Sequence, residues 1–218
     1  MNKTAKYKIV IFDFDGTIAD TAECIVETAK ATLVRLGLPM RTDEEIRYVI
    51  GLPLEGCFEA MVPDADEDTI SRCCEVYREL FFSYQEKTIR LFSEVKETLK
   101  SIHEAGIIIA IATSRGSKSL GELCVMLGLD EYVQMRMTTD LVVEKKPAPE
   151  MVNKILENYN LTPSEALVVG DTIFDIEMGQ RAFCDTCGVT YGNQTRQQLK
   201  EKRPTFIIDR FGELSNLL

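Results

Sequence analysis

Three short runs, at residues 9–12, 107–112 and 166–169, are apolar at every position and open directly into polar clusters. A run of this length, rich in β-branched residues and without polar alternation, reads as a strand buried on both faces. The stretches between the runs carry helical spacing. Strands alternating with helices build a parallel, doubly wound α/β sheet, and such a sheet gathers the C-terminal ends of its strands along one ligand-binding edge. The polar clusters at the ends of the three runs should therefore meet there. They are Asp13-Phe14-Asp15-Gly16-Thr17, Thr113-Ser114-Arg115-Gly116 and Gly170-Asp171-Thr172-Ile173-Phe174-Asp175.

The segment after Thr17 has a different rhythm. Asp20 and Thr21 are candidate N-caps for a helix holding Ile25, Val26, Ala29, Leu33 and Leu36, which Gly37-Leu38-Pro39 stops. Thr42-Asp43-Glu44-Glu45 has the form of a capping box and starts a second helix, ended by Gly51. Residues 51–56 read as a turn or loop, and residues 66–87 as a longer amphipathic helix. No strand signal appears between Thr17 and Thr88. The expected organisation is thus an α/β core, residues 1–17 and 89–218, with a small helical domain, residues 18–88, inserted after the first strand.

Within the core, Ser93 can cap a helix through Val95, Leu99 and Ile102 that ends at Gly106. A helix to Gly128, a weaker strand near 133–137, a helix over Val152 to Tyr159, a short helix to Arg181 and strands near 186–190 and 206–208 complete the pattern. Lys145 and Lys146 precede Pro147-Ala148-Pro149, a stiff extended stretch expected at the same sheet edge.

Composition narrows the function classes. The formal net charge is −10 and no basic run is present, which argues against nucleic-acid binding. No apolar stretch reaches transmembrane length and the N-terminus lacks a secretory pattern, so a cytoplasmic protein that does not enter membranes is expected. Seven cysteines, an odd number, read as reduced thiols in that compartment. Cys184-x-x-Cys187 stands without a second pair or a nearby His; two thiols leading into a strand is the simpler reading than zinc or redox chemistry. His103, the only histidine, falls in an expected core helix away from the clusters and receives no catalytic role.

Taken together, Asp13-Phe14-Asp15-Gly16-Thr17, Thr113-Ser114, Lys146-Pro147 and Gly170-Asp171 with Asp175 resemble the four motifs of the haloacid dehalogenase superfamily, in order and across nearly the whole chain. The helical insertion resembles the small cap of its phosphoglycolate phosphatase and β-phosphoglucomutase-like branch. The resemblance implies a phosphatase acting on a small-molecule phosphate ester or phosphoanhydride through an aspartyl-phosphate on Asp13. It implies Asp15 as general acid and then base, and Thr113 and Lys146 as holders of the phosphoryl oxygens, with Ser114 and Arg115 beside them as substrate-binding candidates. It also implies Mg²⁺, held by Asp13, Asp15 through its backbone carbonyl, Asp171 and Asp175, the last directly or through water. The chemistry agrees: clustered carboxylates and an anionic substrate need a hard cation that takes oxygen ligands.

The competing readings have their own signals. Thr113-Ser114 and Asp171 could be helix caps and Lys146 a solvated charge. Leu54, Glu55 and Tyr84 can reach substrate, with solvated surface as the alternative for each and for Arg115. The name-giving dehalogenases lack a second acid at the place of Asp15. Mutases that resemble β-phosphoglucomutase carry a His about where this chain has Ile25. A non-catalytic binding protein on the same scaffold would have shed a nucleophile or metal ligand, and none is missing here.

Overall fold

The computed structural model describes residues 6–218, apart from the side chains of residues 84–87; residues 1–5 of the N-terminal stretch and the Tyr84 side chain therefore lie outside the described residues. The chain forms β1 (Ile9–Phe12), β2 (Ala19–Asp20), then α1 (Ala22–Leu36), α2 (Asp43–Val49), α3 (Leu54–Met61) and α4 (Glu67–Thr88), and returns through β3 (Arg90–Leu91). It continues as α5 (Val95–Glu104), β4 (Ile108–Thr113), α6 (Ser117–Met126), β5 (Met135–Thr138), α7 (Glu150–Tyr159) and β6 (Ala166–Gly170). The last elements are α8 (Ile173–Arg181), β7 (Asp185–Val189), α9 (Arg196–Glu201) and β8 (Phe206–Ile208).

Six strands make one parallel sheet in the order β5-β4-β1-β6-β7-β8. The order runs in opposite directions on either side of β1, so a crevice is expected at its C-terminal end. Register sets the height of that edge: Phe12 pairs with Ile111 on one side and Val169 on the other. Asp13, Thr113 and Asp171 consequently leave the sheet at nearly one level.

Burial on both faces explains the unbroken apolar runs. Val10, Phe12, Ile109, Ile111, Leu167 and Val169 join a cluster with Val95 and Leu99 of α5 and Leu120 and Leu123 of α6. The intervening residues, Ile9, Ile11, Ala110, Ala112 and Val168, face Met151, Val152 and Ile155 of α7 and Met178 of α8. Each fully buried Val, Leu or Ile contributes roughly 1.5–3 kcal/mol, so the strands that carry the site are among the best anchored parts of the chain.

α1 to α4 build a separate apolar cluster around Val26, Leu33, Ile46, Phe58, Ile70 and Cys73. The Thr42–Glu45 capping box forms as its sequence signalled, and α1 ends at Gly37 in the left-handed conformation. Three expectations need correction. Residues 51–56 are not simply a loop, because α3 begins at Leu54; Pro53 in front of it is a helix-start signal that the glycines on either side obscured. Strand pairing does occur next to the helical segment: β2 and β3 join antiparallel, Ala19 to Leu91 and Asp20 to Arg90, where the chain leaves and re-enters the core. Ser93 does not cap α5; Glu94 occupies that position at φ 66° with no side-chain bond. Thr21, one of the two candidates, does occupy the N-cap position of α1, although its side chain makes no cap bond.

Candidate active site

The loop after β1 turns at Gly16, where φ is +90° and a Cβ would collide with Asp171 and Asn193. The turn lets two carboxylates leave one strand end in different directions. Asp13 is buried and accepts a hydrogen bond from Lys146 Nζ at 2.6 Å. Asp15 instead forms a forked pair with Arg115, Nε to Oδ2 at 3.1 Å and Nη2 to Oδ1 at 2.5 Å. The fork is nearly closed to solvent, with 9% of the Arg115 side chain and 14% of the Asp15 side chain exposed. Paired charges of this planar type hold each other's orientation as well as their charge.

Lys146 comes from the loop between β5 and α7, and its side chain is 0% exposed. Besides Asp13 it donates to Asp175 Oδ1 at 2.7 Å. Burial works against its charge, and the two carboxylates more than offset that, so its pKa is raised. The solvated-charge alternative for Lys146 is thereby excluded. The N-cap of α8 is Thr172 rather than Asp171, in a capping box with Asp175, whose Oδ2 accepts from the Thr172 backbone N–H at 3.0 Å and hydroxyl at 2.7 Å. Asp171 is free of capping and turns into the crevice. Thr17 donates to its Oδ1 at 3.0 Å, and Asn193 donates to its Oδ2 from the backbone at 2.7 Å and the side chain at 2.9 Å.

Asp13, Asp171 and Asp175 thus form a buried group whose carboxylate oxygens lie within 4.8 Å of one another. Burial lifts the Asp13 carboxyl well above the ordinary range; Lys146 pulls it down, while Asp175, Asp171 and Asp15 push it further up. Burial and then Asp175 raise Asp171 to about 7, against the bonds from Asn193 and Thr17. Three clustered carboxyl groups offering only oxygen, two of them with raised pKa, fit a divalent cation that would supply the missing positive charge. The Asp15 carboxylate is not in this group, which leaves its backbone carbonyl as its available ligand atom.

Thr113 is buried and accepts the Arg115 backbone N–H at 3.2 Å. Ser114 points the other way: its hydroxyl donates to the Gly51 carbonyl at 2.7 Å, tying β4's end to the helical segment. Arg115 is correspondingly committed to Asp15 and, through Nη1, to Ser119 at 2.8 Å, with its guanidinium 4.6 Å from the Phe81 ring centre. It is neither solvated surface nor a free phosphate donor. Lys145 reaches Glu55 at 3.4 Å, and Leu54, Glu55 and Arg115 all line a cavity of about 630 Å³ between the helical segment and the sheet edge.

His103 lies on α5 of the core, exposed and in contact with Gln134, away from the sheet edge that carries the acids. Cys184 and Cys187 are both buried free thiols whose pKa burial pushes up to about 12. That is the opposite of a metal-ready or redox-active pair.

Across residues 10–189 the sequence matches the family model of haloacid dehalogenase-like hydrolases. The chain belongs to this family. A haloacid dehalogenase-like hydrolase is an enzyme, and the named relatives agree on the kind. The chain is 29% identical over 214 residues to a phosphoglycolate phosphatase of Vibrio parahaemolyticus, covering 95% of this chain and 94% of that one. It is 29% identical over 209 residues to the pyrophosphatase PpaX of Anoxybacillus flavithermus, covering 96% and 95%. A crystal structure of a haloacid dehalogenase-like hydrolase from Bacteroides fragilis superposes with a TM-score of 0.91 at 27% identity, covering 96% and 100%. This hydrolase is a phosphatase. No described helix is long and apolar enough to cross a membrane.

Four residues that fix the acids or the start of α8 received no role of their own from the sequence. Thr17 and Asn193 grip Asp171, Thr172 grips Asp175, and Gln194 accepts the Ile173 N–H at 2.8 Å. Thr172-x-x-Asp175 has capping-box spacing and was findable. Asn193 and Gln194 had no local signal, since they act only once the loop between β7 and α9 folds back over the end of β6.

Proposed function

We propose that this hydrolase is a Mg²⁺-dependent phosphatase of small soluble phosphate esters, with Asp13 as nucleophile. One observation carries the reading: a buried carboxylate at a strand end, paired with a fully buried lysine, beside a second carboxylate held separately by an arginine. A carboxylate already ionised by an adjacent cation can attack phosphorus and accept the phosphoryl group. Lys146 favours the charged form of Asp13 against burial and, with the Thr113 hydroxyl, would hold phosphoryl oxygens. Asp15 would protonate the departing alkoxide and then take the proton of the water that attacks the aspartyl-phosphate. Arg115 keeps Asp15 pointed away from Asp13 until substrate enters.

Mg²⁺, held by Asp13, Asp171 and the Asp15 carbonyl, with Asp175 directly or through water, would offset the charge of substrate and acids. Residues 18–88 act as a cap over a core of residues 1–17 and 89–218, and the Ser114–Gly51 bond is one of its contacts with that core. Ile25 lines the cavity where a mutase would carry a histidine, which favours hydrolysis over phosphoryl return to the substrate. Seven free thiols and a net charge of −10 support a cytoplasmic enzyme with no nucleic-acid partner. The test is phosphate release from a panel of small phosphate esters and pyrophosphate, with Mg²⁺ and with EDTA. Metal-dependent release is expected; release unaffected by EDTA, or none at all, would overturn the proposal.

A further inference from the structure

The cavity above Asp13, about 630 Å³, is far larger than a phosphoryl group, so its shape and chemistry describe the leaving group. Its walls are apolar: Ile25, Val49, Leu54, Phe58 and Phe81 line it together with Tyr77. Three of the four cations that line it are already paired. Arg115 is forked onto Asp15. Arg78 and Lys145 both reach the single carboxylate of Glu55, at 3.1 and 3.4 Å. Lys118 lies with its ammonium 5.3 Å from the centre of the Phe82 ring on an exposed part of α6. A leaving group bearing its own carboxylate or phosphate would lose its water inside these walls and find Lys118, out on the exposed rim, as the one lining cation without an ion pair among the described residues, which is costly.

Two neutral hydroxyls on the lining, those of Tyr77 and Thr139, have no hydrogen-bond partner among the described residues, and Tyr77 is the one set among the apolar walls. Tyr77 on α4 packs between Phe58 and Phe81, with ring centres 5.9 and 5.8 Å away, and its hydroxyl has no hydrogen-bond partner among the described residues. Ligand sites of this kind combine apolar walls with a few oriented polar atoms.

Building on the phosphatase reading, we infer that the substrate is a phosphate monoester of a neutral, largely apolar organic alcohol carrying a polar atom for Tyr77. Esters whose alcohol is anionic, and pyrophosphate, are disfavoured by the same walls. The inference separates this chain from the substrates in its relatives' names.

The experiment measures kcat/KM with Mg²⁺ for the n-alkyl phosphates from ethyl to hexyl, for 4-hydroxybutyl phosphate, and for phosphoglycolate and pyrophosphate. The alkyl series holds leaving-group basicity nearly constant, so its slope reads burial alone. A rise of about fourfold per methylene is expected while the cavity fills. Phosphoglycolate and pyrophosphate should fall below butyl phosphate. Tyr77→Phe should lower kcat/KM for 4-hydroxybutyl phosphate by about tenfold and leave butyl phosphate nearly unchanged. Leu54→Arg, which adds a free cation to the wall, should raise phosphoglycolate turnover relative to butyl phosphate. A flat alkyl series, or phosphoglycolate or pyrophosphate ahead of it, would overturn the inference while leaving the phosphatase reading intact. No hydrolysis of any compound would overturn both.

Discussion

Replacing Lys146 by Met removes one charge from a site where, among the described residues, Asp13 has no other ion-pair partner. The Lys146 side chain is 0% exposed and its ammonium makes bonds of 2.6 and 2.7 Å to Asp13 and Asp175. Methionine nearly fills the space, so the effect is electrostatic rather than a cavity. Breaking a buried pair by removing one partner costs roughly 3–5 kcal/mol, because the remaining charge is left uncompensated. For a chain of this size that corresponds to a melting temperature lower by about 6–20 °C, at some 2–4 °C per kcal/mol. Asp13 relieves part of the cost by taking a proton, since burial already holds its pKa high and the cation opposing that rise is gone. A protonated Asp13 is not a nucleophile. Activity at neutral pH should therefore fall by more than the ~10²–10³-fold expected for losing one oxyanion donor, and part of the loss should be recovered as pH is raised. The assay is kcat/KM from about pH 6 to about pH 9, with thermal melts on the same samples. A loss below tenfold, or one of equal size at every pH, would refute the reasoning.

Gly16→Ala should abolish turnover and lower stability by several kcal/mol, because the left-handed turn and the close approach of Asp171 and Asn193 leave no room for a Cβ; wild-type melting and kinetics would contradict the packing described. In EDTA, stability should fall as pH rises. The Asp171 carboxyl is about 7 when folded and ordinary when unfolded, so its contribution is full below about pH 4 and is lost as pH passes through 7. That loss amounts to a few kcal/mol, and Mg²⁺ should restore it most at alkaline pH; melts in EDTA that do not change between about pH 5 and pH 8 would refute this. Ser114→Ala removes the 2.7 Å bond to the Gly51 carbonyl and should cost about 1 kcal/mol or less in stability, with the larger effect on KM; an unchanged KM would argue that this contact does not help seat the cap.

The strands and the first acids were legible because a strand buried on both faces has one recognisable pattern, and because β1, β4 and β6 each empty straight into candidate site residues. Lys146 was legible only with its neighbours: alone, a lysine before a proline reads as solvent-facing, and what partners it in the interior is a pair of carboxylates from the end of β1 and the first turn of α8. Arg115 shows the opposite limit. Its position after Thr113-Ser114 suggested contact with substrate, but a forked pair with Asp15, a hundred residues away, depends on the β1–β4 register. Asn193 is the extreme case, an amide recruited by a loop whose course no local pattern announces. α3 and α9 are short, eight and six residues, and their start signals, Pro53 and the Thr195–Gln198 capping box, are weaker than the hydrophobic periodicity of longer helices.

The central claim is that Asp13 carries the phosphoryl group. It is tested most directly by acid-quenching the Asp15→Asn enzyme with Mg²⁺ and 4-nitrophenyl phosphate and mapping the adduct by mass spectrometry. Nitrophenolate leaves without a proton donor, so Asp13 should still be phosphorylated, whereas the second step lacks its base and the intermediate should accumulate. The account predicts a phosphoryl group on the peptide holding Asp13, absent from the Asp13→Asn, Asp15→Asn double variant. An adduct on another residue, or turnover persisting in Asp13→Asn, would contradict it.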